Sequence, residues 1–200
     1  MRLWVKTSAL CAAVLLAAAA VCAGALLWTQ ESAMRRADER NAEDALAVFC
    51  SNVREASEEG GARAQGTALR SVTAYYFSKY AKAVQTEGTR FSLAADGAYL
   101  FHTSPQDPLS LFESPSGENA YDGFPVTLRR VGEGEEAAIV AQCPFRVADQ
   151  RFEAYLSVDV SGTEARIGAL RLFCFAAAGL ACAGVLQNEN LQRSHFRFSV

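Results

Sequence analysis

The sequence predicts an α+β domain held between two membrane-spanning helices, and three observations carry that expectation. Two uncharged apolar segments, Thr7 to Gln30 and Leu172 to Asn188, lie near the two ends of the 200 residues. After Trp28 no proline occurs until Pro105, and the first part of that stretch is rich in helix formers. From Thr89 onward, strand-like alternation and turn residues take over. A helix of about 20 apolar residues covers the ~30 Å hydrocarbon core of a bilayer.

The N-terminal element begins MRLWVK and continues as TSALCAAVLLAAAAVCAGALLW. Its apolar run exceeds the ~7–15 residues of a signal-peptide core, so residues 7–28 read as an uncleaved anchor. Trp28 falls where an amphipathic ring meets the far interface. A secreted enzyme whose signal peptide is cleaved near residues 21–25 is the alternative. Residues 1–6, with Arg2 and Lys6, form the N-terminal flank.

Ala42, Leu46, Phe49, Val53 and Ala56 recur every three or four residues, which predicts an amphipathic helix over about 30–58 continuing from the first span. Gly60-Gly61 interrupts it. A second helix is expected over about 64–86, with Leu69, Val72, Tyr76 and Tyr80 on one face. Strands are then expected over about 89–161. RFSLAADGAYLFHTS reads as a hairpin turning at Asp96-Gly97. After a proline-containing loop, residues 124–131, 136–147 and 151–161 read as three further strands, giving about five antiparallel strands with helices on one face.

The second span is expected over 167–186. Leu172–Leu186 alone covers only about 22 Å; reaching ~30 Å brings Arg171 inside one end, where a long side chain can snorkel to the headgroups. A buried helix of a soluble domain is the alternative. Arg2 and Lys6 before the first span, with Arg193 and Arg197 after the second, place both termini in the cytoplasm and 29–166 outside it.

Chemistry is sparse. The formal charge of −3 argues against a nucleic-acid partner. No phosphate-cradling glycine loop, nucleophile elbow or zinc-spaced cluster occurs, so neither a catalytic residue nor a metal is expected. Tyr76, Tyr80, Arg90 and His102 are candidate ligand contacts, with core packing or surface polarity as the competing reading of each. Cys50 and Cys143 alone lie outside the apolar segments, and could pair as a disulfide in an oxidising compartment.

In element order the chain resembles the input half of bacterial two-component sensor histidine kinases: a charged start, a span, a helical stalk, a PAS- or Cache-like sensor and a second span. FSLAADGAYLFHTSPQDP looks like the first hairpin of such extracytoplasmic sensors, and ENLQRSHFRFSV resembles the entry to their dimerisation domain. That resemblance makes 187–200 the start of a truncated output module, with the phospho-accepting histidine beyond Val200 and not at His195. It implies a homodimer in a lipid bilayer, with an unidentified extracytoplasmic ligand. No cofactor is expected here, because ATP and Mg would belong to the kinase core, and a response regulator would be reached only through that core. The chain alone is expected to be inactive as a kinase. A stand-alone membrane-anchored binding or assembly protein remains the alternative.

Overall fold

The computed structural model describes the backbone of residues 2–103, 107–117 and 119–197, and the side chains of 7, 11, 13–103, 107–117 and 119–184. The chain is α+β: a long N-terminal helix, a five-stranded antiparallel sheet and a C-terminal helix. It divides into two units, Arg35–Glu164 and a second made of Met1–Met34 with Ala165–Val200.

Helix α1 is continuous over Arg2–Gly60. Its polar half buries Ala42, Leu46, Phe49, Cys50 and Val53, four of which belong to the expected stripe. The helix stops where Gly60 lies against Tyr76: a β-carbon there would come within 2.6 Å of the ring. Any larger residue would force the Tyr76 ring to shift.

Helix α2, Thr67–Val84, buries Leu69, Thr73, Phe77 and Ala81. The buried stripe therefore differs from the expected Leu69, Val72, Tyr76, Tyr80 face by one position after Leu69. Phe77 enters the core completely, whereas Tyr76 and Tyr80 stay half-buried at the flank.

Five strands follow: β1 Thr89–Ala95, β2 Ala98–His102, β3 Thr127–Val131, β4 Ala138–Val147 and β5 Gln150–Asp159. They pair in the order β2-β1-β5-β4-β3, every pair antiparallel. The β1–β2 turn has Asp96 at φ 50° and Gly97 at φ 74°, the doubly positive pattern that tight hairpins use and that Asp-Gly tolerates. Pro144 interrupts no three-strand ladder, because β3 pairs β4 only from Ala138 to Gln142. Between β2 and β3 the loop contains a short helix α3, Pro108–Leu111, and a 3₁₀ turn, Asn119–Tyr121, neither foreseen from sequence.

The polar half of α1 and helix α2 pack on one sheet face. Phe49 stacks on Phe91 at 4.6 Å and meets Phe77 edge-on at 5.0 Å. Leu46, Leu69, Leu93, Cys143, Phe145, Phe152 and Leu156 complete that core, all nearly inaccessible. Each such side chain stabilises the fold by roughly 1.5–3 kcal/mol through its removal from water.

Helix α4 runs from Ser161 to Arg197, starting six residues before the expected second span. In the other unit, Val14, Leu15, Val21, Leu26 and Trp28 of α1 and Leu172, Phe173, Phe175 and Leu180 of α4 are exposed. Two helices are thus long and apolar enough to cross a membrane. Arg171, the charge nearest the apolar part of α4, donates to Glu31 of α1.

Candidate functional site

The four sequence-predicted contacts do not converge. Tyr76 packs over Gly60, and Tyr80 rests against the core on the helical side of the sheet. The Arg90 guanidinium turns back to the carbonyls of Thr86 (3.1 Å) and Thr89 (2.9 Å), closing the entry to β1. His102 lies elsewhere: its Nδ1 is 2.9 Å from Ser92 Oγ, and its ring is tilted against Tyr99 at 4.3 Å.

Ser92 leads to a feature that single-residue reading missed. Strand register places His102 opposite Ser92, Ser92 opposite Tyr155, Tyr155 opposite Gln142, and Gln142 opposite Thr127. Opposed residues of neighbouring strands share a face, so this polar row crosses all five strands on the side away from α1 and α2. Glu153 stands beside it, two positions from Tyr155 on β5.

Glu153 is the centre of this face. Only 7% exposed, its carboxylate accepts from Tyr155 Oη (2.6 Å), Gln142 Nε2 (3.4 Å) and Tyr121 Oη (3.3 Å). Burying a carboxylate is costly unless donors replace its water, and two tyrosines and an amide supply them. Burial first, and then the hydrogen bond and charge of Glu153, push the Tyr155 hydroxyl far above its ordinary pKa. Tyr121 is raised by burial and by the same carboxylate. Both phenols consequently remain protonated donors across the physiological range.

The loop before β3 lies over this face. Tyr99 Oη bonds Asp107 and accepts from Leu109 N–H at 3.0 Å; burial and the Asp107 hydrogen bond raise Tyr99 to about 12. Phe112 approaches Tyr155 at 6.1 Å. Two guanidiniums stack on the loop's rings, Arg151 over Tyr121 at 5.1 Å and Arg129 over Phe112 at 5.6 Å. The result is a carboxylate, an amide and hydroxyls that bond one another beneath the loop, with an imidazole and aromatic rings beside them. Within it the Ser92 hydroxyl and the His102 imidazole lie within hydrogen-bond reach, 2.9 Å apart. A separate open groove of about 560 Å³ runs between the end of α1 and the β4–β5 turn, lined by Glu58, Arg63, Leu69, Val147 and Asp149 among others.

Among the described residues, no three His, Cys, Asp or Glu side chains gather as metal ligands. Cys50 and Cys143 are both buried thiols of the one helical-side core, and after burial itself the neighbouring Cys143 thiol helps to raise the Cys50 pKa. His195 lies in α4, and its side chain is outside the described residues. Comparison of the sequence with protein-family models gives no match, and comparison with curated proteins gives none.

Proposed function

We propose that this chain is a membrane-embedded signal-sensing region of the kind that serves two-component histidine kinases. In this reading, α1 and α4 cross the bilayer with both termini cytoplasmic, and the Arg35–Glu164 unit is a PAS/Cache-like extracytoplasmic sensor. The observation that carries it is the Glu153 array on one sheet face of a domain flanked in sequence by two apolar helices. A ligand there can signal only by binding two arrangements of the domain unequally. A homodimer would convert that difference into a change in the placement of its spans. Catalysis, ATP and the response regulator would belong to an attached kinase core.

A chimera tests this. The 200 residues are joined to the dimerisation and ATP-binding core of a kinase stripped of its own sensor, and autophosphorylation is measured in membranes. Glu153→Gln should change the rate severalfold without changing the amount inserted. A rate indifferent to Glu153→Gln, or a reporter at residue 100 that proves cytoplasmic, would overturn the proposal.

A further inference from the structure

The Arg35–Glu164 unit has two cysteines, and the fold brings them together from opposite ends of its sequence. Cys50 lies on the inward face of α1, between Phe49 and Val53. Cys143 lies on β4, opposite Ala154 of β5 and on the helical side of the sheet. Each is 0% exposed, both belong to one buried cluster, and the Cys143 thiol is close enough to help raise the Cys50 pKa. The other four cysteines belong to the apolar segments.

We propose that Cys50 and Cys143 form a disulfide that fastens α1 to the sheet when the chain folds in an oxidising compartment. The oxidising compartment rests on the orientation proposed above; the capacity to bond rests on the packing alone. Inside the finished core neither sulfur is open to attack, and burial together with the neighbouring thiol holds Cys50 protonated. The bond therefore forms before the core closes. In the open chain one thiolate attacks a small-molecule disulfide such as oxidised glutathione, breaking its S–S bond and expelling one thiolate. The second cysteine attacks the mixed disulfide and expels the other. Two electrons pass from the cysteines to the small-molecule disulfide, and the two protons they release end on its two thiolates.

Once formed, the bond closes a loop of about 90 residues, long enough to restrict the unfolded chain strongly. It also fixes α1, the helix that reaches back through the first apolar segment, to the central part of the sheet. A reduced chain would retain the contact without the tie.

The test uses the full chain with Cys11, Cys22, Cys174 and Cys182 replaced by alanine, reduced and unfolded, then refolded in detergent with a glutathione redox buffer. Alkylation and peptide mapping should find residues 50 and 143 in one linked species, lighter by two hydrogens than its separate peptides. The linked form should unfold roughly 10 °C above the reduced form. Refolded protein carrying alkyl groups on both cysteines would overturn the proposal. Should the four-alanine variant fail to refold, the natural chain under the same protocol decides: a 50–143 linkage supports the bond, and alkylation or another partner overturns it. A bond formed in vitro beside free thiols in cells would overturn the proposed orientation and leave the bond standing.

Discussion

Arg130 donates to Glu164 across 2.8 Å, joining β3 to the first turn of α4. The same carboxylate accepts from Arg35 of α1 at 3.3 Å, and Arg130 also reaches Glu39 at 3.8 Å. Three elements therefore meet on one glutamate that is only 19% exposed. An acidic side chain near a helix N-terminus also suits the helix dipole. Removing it takes one shared carboxylate from two guanidiniums at once. Glu164→Ala should cost about 1–3 kcal/mol, read as a lower denaturation midpoint of the full chain in detergent. Glu164→Gln should recover part of that loss, since its amide oxygen can still accept.

Phe77 is the keystone of the helical-side core, in ring contact with Phe49 at 5.0 Å, Phe101 at 5.6 Å and Phe91 at 6.4 Å. Phe77→Ala removes a fully buried ring and leaves a cavity among aromatics that cannot collapse freely. A loss of about 3–5 kcal/mol is expected, against less than about 1.5 kcal/mol for the volume-conserving Phe77→Leu or Phe77→Met. Equal losses for all three, by chemical denaturation, would show that the site tolerates no repacking.

Phe77 also shows where the sequence was readable and where it was not. Period alone located α2, and Asp96-Gly97 located the first hairpin within a residue. Which stripe of α2 faces inward depended on partners from α1 and the sheet that local periodicity does not contain. The polar face was harder still. Glu153 and Tyr155 alternate with Phe152, Ala154 and Leu156, so β5 announces two unlike faces. Their meaning appears only when the Ala148–Asp149 turn sets Gln142 opposite Tyr155 and the β1–β5 pairing brings in Ser92. That second pairing joins strands separated by the whole loop and meander. The loop's contribution, Tyr121 on Glu153, had no periodic signal at all. Cys50 and Cys143 were legible as candidates by elimination, but their place in one buried cluster depends on how α1 packs on the sheet.

The buried tyrosines make the domain sensitive to alkali. Tyr99 is raised from 10.0 to about 12, chiefly by burial and by Asp107, and Tyr155 is raised further by burial and Glu153. An unfolded tyrosine ionises near 10 while these retain their protons, so the folded chain binds more protons above that pH. Stability is consequently full below about pH 10 and falls as pH rises toward the folded values. Tyr155→Phe should flatten this alkaline fall, at a cost near neutrality of about 1–3 kcal/mol for the donor lost by Glu153. Unfolding midpoints collected from neutral to alkaline pH measure both effects. A mutant curve parallel to the natural one would contradict the assignment.

At the acid end the sensitive group is Asp159, whose Oδ1 accepts the Ser161 N–H at 2.8 Å where α4 begins. That backbone bond is the main cause of its carboxyl lying below the ordinary 3.8. The depressed value means that the folded chain holds the ionised form more tightly than the unfolded chain does. Its contribution is present above the unfolded pKa and is lost as pH falls through the folded one. Asp159→Asn keeps an acceptor without the charge, so it should retain most neutral-pH stability while removing this part of the acid dependence. Asp159→Ala removes the acceptor as well and should cost about 1 kcal/mol at neutral pH, the usual effect of an unsatisfied first-turn N–H. Midpoints measured for the three proteins between pH 2 and 7 separate charge from hydrogen bond. An Asn variant with the natural acid slope would place the acid-sensitive group elsewhere.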